Sequence, residues 1–296
     1  MSELKRTDQP DQPTPEADRI ADRPAAATPA ELRASREPYA AHLDKPLAEG
    51  EPTAREVLDR FDPRRANLPD LTPTDAVTYI ETHAADRPWL ASVRGHDTSV
   101  QRLFAALDQG QGHALERHEG YPPDSRLQRR VLYLEDPAQL DLTKRLAGED
   151  AFKPGRDHKC ADMATKIADP EAFATAFARG VEHPEVRAVL DRPYRNGPLP
   201  DPVELPIAEL LGDDGHRYCS GHRLRPVGGD MGAAVDCRAA WVEAYRQGRE
   251  PVAPAPATER IPSFERGNVQ FVFWPNRSKT GYEVFTMYVE PAKEAT

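Results

Sequence analysis

Apolar residues recur along this chain with two different periods. Val100, Leu103, Phe104 and Leu107 fall at i, i+3, i+4 and i+7, the stripe of one helical face. Asp97 is placed to cap that helix, and Gly110 and Gly112 to break it. Upstream, Thr72-Pro73-Thr74-Asp75 offers a hydroxyl N-cap, a proline at N1 and a carboxylate at N3. With Val77 and Ile80 turned inward, it predicts a short helix over 73–84. After Pro122-Pro123, Asp124 or Ser125 can start another helix, with Leu127, Val131 and Leu134 inward. Residues 170–181 and 184–191 read as two more short helices, the first rich in alanine. Beyond Pro200 the period shortens to two. Strands are expected over 216–224, 269–274 and 282–289, the last two joined by the turn residues of 275–281. The segment 203–208 is a weaker strand because Pro206 interrupts it. Helices first and antiparallel strands afterwards predict an α+β fold, with N-terminal helices packed on a twisted antiparallel sheet.

Composition changes the picture at the amino end. The chain has 296 residues, of which 30 are proline, about twice the ordinary usage of about 5%. Prolines are dense in 1–70, where Tyr39 and Phe61 are the only aromatic residues, so that segment reads as a disordered leader or linker that can hold a short helix over 53–61. Residues 71–104 then form a helical lead-in, 105–291 the main domain, and 249–262 a proline-rich surface loop. Apolar runs are too short for a membrane span, and the amino terminus lacks the apolar core of a Sec signal. Cys160, Cys219 and Cys237 are too few for a disulfide scaffold. A net charge of −10 disfavours a general nucleic-acid coat but leaves room for a local basic site.

Three groups of residues can carry chemistry. The densest is Gly112-His113-Ala114-Leu115-Glu116-Arg117-His118, followed by Arg126, Arg129 and Arg130. On a helix the two histidines would be separated by roughly 140° in azimuth, so they do not form the i, i+4 pair that chelates zinc, and Ala114 stands where the glutamate of that motif belongs. Imidazole beside guanidinium suits phosphate-ester chemistry, in which one moves a proton and the other holds an oxyanion. The same spacing equally suits a solvated, charged helix. The second group is His158 and Cys160 with Cys219 and His222, whose Cys-x-x-His spacing can ligate zinc. Isolated reduced cysteines are the competing reading. The third is the last strand, where alternation puts Tyr282, Val284, Thr286 and Tyr288 on one face, their hydroxyls available to one cleft.

In this order, these pieces resemble the RNase A-like toxin domains at the carboxyl ends of bacterial contact-dependent-inhibition and other polymorphic toxins. Such domains open with G-H-T-L-x-R-H-V-G, matched here by Gly112 to Gly120, and carry an arginine in the next helix, matched in Leu127-Gln128-Arg129-Arg130. Their short strand and alanine-rich helix are similar to Ala164–Asp169 and Glu171–Gly180, and their terminal Y-x-V-x-T-x-Y-P strand to Tyr282–Tyr288. The resemblance covers about 105–291. Ala114 and Glu119 depart from the pattern, and extra stretches lie around 136–160 and 228–262. The resemblance implies a kidney-shaped α+β fold and a metal-independent endoribonuclease, without cofactor, that cleaves RNA through attack by the 2′-OH to a 2′,3′-cyclic phosphate. His118 and His113 would transfer protons, Arg129 would neutralise phosphate charge, Thr286 and Tyr288 would line the cleft, and Arg117, Arg130 and Tyr282 would contact substrate. It also implies a cognate immunity protein and a secretion or injection machinery, with residence in the producer's cytoplasm, export by a non-Sec route and action in a target cell. A catalytically inactive binding protein of the same fold, and a zinc-stabilised domain, are the alternatives.

Overall fold

The structure is a computed structural model, and it describes residues 38–293. It opens with a 3-10 turn at Tyr39–His42 and helix α1, Ala54–Arg60, whose start is closed by a capping box between Thr53 and Glu56. A second 3-10 turn, Pro63–Ala66, has its proline at the first position. Helices α2 (Pro73–His83), α3 (Pro88–Ala91) and α4 (Thr98–Gln109) follow, and α4 buries the stripe of Val100, Leu103, Phe104 and Leu107. Next come α5 (Ala114–His118), α6 (Asp124–Tyr133) and α7 (Leu142–Leu146), then β1 (Met163–Ile167), α8 (Pro170–Glu182) and α9 (Pro184–Leu190). The remainder is β2 (Val203–Pro206), α10 (Ile207–Leu211), a 3-10 turn at Asp213–Tyr218, β3 (Cys219–Leu224), α11 (Met231–Arg246), β4 (Thr258–Arg260), β5 (Asn268–Pro275) and β6 (Tyr282–Glu290).

The class is α+β, with the antiparallel strands divided between two three-stranded sheets, ordered β1-β3-β4 and β2-β5-β6. β2 ends at Pro206, whose missing N–H suits the end of an edge strand and the start of α10. The two sheets are tied where the Thr165 hydroxyl on β1 donates to the Val289 carbonyl on β6 at 2.5 Å. At the centre lies α8, whose Phe173, Phe177 and Val181 are wholly buried. Gly180 is required there: a Cβ would stand 2.0 Å from the Phe271 ring of β5. A smaller cluster of Leu127, Val131, Ala164, Leu224 and Ala234 joins α6 and α11 to the first sheet.

The structure corrects the proposed domain boundaries. Residues 38–70 are folded, since Tyr39, Leu43, Leu58, Phe61 and Leu68 all belong to the main core. Tyr39 meets Tyr218 edge-on at 5.0 Å and Phe61 meets Phe177 at 6.1 Å. The prolines here start and punctuate turns, and the large apolar side chains other than Leu47 pack into the core. Residues 1–37 lie outside the described part. The helices of 71–104 share that same core with the elements after 105, so 105 is not a boundary. Among the described residues, no helix is long and apolar enough to cross a membrane.

Candidate active site

The histidine segment is held by two close backbone approaches. A Cβ at Gly112 would lie 2.4 Å from the Phe285 carbonyl oxygen, and one at Gly120 would lie 2.3 Å from that of Ala168. Glycine alone lets the short α5 lie flat between β6 and β1. The His113 amide donates to the Phe285 carbonyl at 2.9 Å. That carbonyl is spare because β6 carries a bulge: Val272 pairs with Thr286, Phe273 pairs with Val284, and Phe285 is the extra residue.

The bulge also decides which hydroxyls face the histidines. On its near side Tyr282 and Val284 point into the core, and on its far side Met287 and Val289 do. Thr286 and Tyr288 therefore share the opposite face. Tyr282 does not join them, contrary to strict alternation. It packs in the core, against Tyr194 at 5.9 Å.

His113 is the N-cap residue of α5 and has non-helical φ and ψ, so the helical-wheel separation of the two histidines does not apply. Their ring centroids are 6.3 Å apart, and the Tyr288 ring lies 5.3 Å from His118. His118 Nδ1 lies 3.0 Å from the Thr165 carbonyl oxygen, which accepts a hydrogen bond from it and so fixes the tautomer with Nε2 as a lone-pair base. Burial pushes both imidazoles well below 6.5. Arg117, His118 and Arg130 push His113 the same way, and Arg130 does so for His118. Both are neutral at pH 7.

Neighbouring arginines on a helix diverge by about 100°, and here they separate completely. Arg130 is the one at the histidines. Its Nε donates to His158 Nε2 at 3.2 Å, its Nη1 is buried without a partner, and its charge reaches Tyr288. Arg129, assigned to the phosphate from sequence, instead makes a two-pronged pair with Glu135 at 2.9 and 2.6 Å and lies over the Tyr133 ring. Arg117 is likewise committed elsewhere: it is paired with Asp136 at 2.9 and 2.5 Å and with Asp150 at 3.0 Å. This buried pair fastens the 136–160 stretch over α5, where Phe152 lies on the Arg117 guanidinium and 5.3 Å from the His113 ring.

By its sequence context His158 is a candidate zinc ligand alone. In the fold it bridges Asp150, 3.2 Å from Nδ1, to Arg130, and so orients the guanidinium. Burial opposes ionisation of Asp150, but His158 and Arg117 outweigh it and hold the carboxyl well below its usual range. The four proposed zinc ligands do not assemble. Cys219 and His222, three apart on β3, point to opposite faces. Cys160 Sγ donates to the Met163 carbonyl and Cys219 Sγ to that of Gly215. Among the described residues, the donor atoms that gather within 4.8 Å are those of Asp136, Asp150 and His158, and the Arg117 guanidinium is already paired to both carboxylates.

The result is a cationic cluster of His113, His118, Arg130, Thr286 and Tyr288, in which His113 Nδ1, Arg130 Nη1 and Thr286 Oγ1 are buried and unpartnered. Such a set can accept a proton and donate hydrogen bonds to an anion. Compared with family models, with curated proteins and with solved structures, the chain has no significant match in any of the three.

Proposed function

We propose that the protein is an endoribonuclease whose chemistry needs no metal ion. The observation that carries this reading is the meeting of two neutral imidazoles, an underused arginine and the Thr286–Tyr288 pair on the bulged half of β6. His118 Nε2 takes the proton of the RNA 2′-OH as its oxygen attacks phosphorus. The bond to the 5′ oxygen breaks, leaving a 2′,3′-cyclic phosphate. Arg130, with Thr286 and Tyr288, offers donors to the phosphoryl oxygens. His113 is the second proton carrier and serves the departing 5′ oxygen. A bound phosphate supplies the negative charge that offsets the repulsion of Arg117 and Arg130, so imidazolium becomes accessible once substrate is present. On this reading the producing cell needs a neutralising partner, and an acidic face on that partner would match the local charge around Arg130.

Burial of both histidines, at 9% and 6% exposure, favours a second reading, a binding protein without catalysis. Full-length protein incubated with tRNA in EDTA separates the two. The ribonuclease reading expects cyclic-phosphate products and a loss of about 10²–10⁴ in rate for His118→Ala. Intact RNA, or cleavage that requires added metal, rejects it.

A further inference from the structure

We infer that the outer end of the β5–β6 face is a stacking platform for an unpaired nucleobase, formed by Trp274 and Phe285 beside His113. The identity of the ligand as RNA rests on the ribonuclease reading; the platform itself rests on separate residues. Trp274 pairs with Glu283 and so shares the face that carries Thr286 and Tyr288, one strand position beyond the bulge. It is 42% exposed, an unusual state for the largest apolar side chain at the end of a well-paired strand. Its ring lies 5.3 Å from that of Phe285, tilted by 34°, and Phe285 meets His113 edge-on at 4.7 Å. Phe152, 37% exposed, approaches His113 from the other side. An aromatic row therefore runs from the imidazole to solvent, ending in the exposed Trp274.

The chain's other tryptophans are differently used. Trp89 is buried and its Nε1 donates to Asp108, and Trp241 stacks on Tyr245 at 5.0 Å. The turn that follows Trp274 presents exposed Arg277 and Lys279, the charges a nucleic-acid backbone requires. Stacking on an aromatic face is open to every base but demands that the base be unpaired, so the substrate class is single-stranded RNA, including loops, rather than duplex.

The test uses the full chain carrying His118→Ala, so that RNA stays intact. A labelled oligouridylate is titrated by fluorescence anisotropy, alongside an abasic strand of equal length. The platform predicts that adding Trp274→Ala weakens oligouridylate binding by roughly fivefold to 150-fold. Abasic binding should change little, and Trp274→Tyr should restore most of the loss, with circular dichroism unchanged throughout. Equal affinity for the two strands, or no effect of Trp274→Ala, overturns the platform even if the wild type cleaves tRNA. Trp274-dependent binding by a wild type that cleaves nothing overturns the ribonuclease reading and leaves the platform standing. Absence of both binding and cleavage overturns both.

Discussion

Glu119 stands where the motif that this segment resembles has valine, and it is fully buried at the end of α5. One carboxyl oxygen accepts the Tyr121 amide at 2.8 Å and the other is buried without a partner. Burial pushes this carboxyl up to about 8, against the amides of Tyr121 and Gly120 and the charge of Lys166, with Asp169 adding to the push. In the unfolded chain it titrates near the ordinary 4.5. Between those two values the native protein holds a proton that the unfolded chain has released, so this residue makes stability fall as pH rises. The gap between 4.5 and about 8, at about 1.4 kcal/mol per unit, sets a ceiling of roughly 5 kcal/mol. Glu119→Gln keeps a carbonyl for the Tyr121 amide and cannot ionise. Urea unfolding across a pH series should give near-equal stabilities for the two proteins at about pH 4. The variant should then gain steadily, reaching a few kcal/mol by about pH 8. His113, His118 and Glu116 titrate in both proteins and cancel in the difference. Two stability curves that run parallel across this range would refute the buried, proton-bearing Glu119.

Arg130→Gln should lower RNA cleavage by about 10²–10³, whereas Arg129→Ala should leave it near wild type, both followed on tRNA with melting curves to check the fold. The reverse ranking would reject the assignment of Arg130. A chain that begins at residue 71 loses Tyr39, Leu43, Leu58, Phe61 and Leu68 from the core. At about 2–5 kcal/mol for each large side chain, that matches or exceeds the usual stability of a domain, about 5–15 kcal/mol. Calorimetry should show no cooperative transition, and a sharp one would restore a boundary at 71.

Long, strongly periodic elements were legible in the sequence. The stripe of α4 and the β5–β6 hairpin are read directly from spacing, and the α+β order from their succession. Helix α11 was not, because its buried face runs Ala234, Arg238, Val242, with an arginine in the middle of the stripe. Arg238 is tolerated there because it donates to the carbonyls of Val131, Cys160 and Ala161, a solution that exists only after folding. The site was half legible. Residue types named His113, His118, Thr286 and Tyr288, but adjacent arginines are indistinguishable without a helix rotation, and Tyr282 was misplaced because a bulge leaves no mark in a hydropathy pattern. His158 could be found only through its contacts with Asp150 and Arg130.

The Phe285 bulge makes the histidine site depend on how many residues the strand has more than on which they are. In a regular ribbon each main-chain carbonyl is committed to the neighbouring strand or to solvent. One surplus residue frees a carbonyl in the middle of the sheet face, and the His113 amide plugs into it. Removing Phe285 would leave Tyr282, Val284, Met287 and Val289 facing the core as before, so the hairpin would close as an ordinary ribbon. It would then have no socket for the loop that carries the imidazoles. Variation in this chain that swaps side chains at 285 can thus preserve the anchorage, while loss of a single codon there uncouples a sound scaffold from its chemistry.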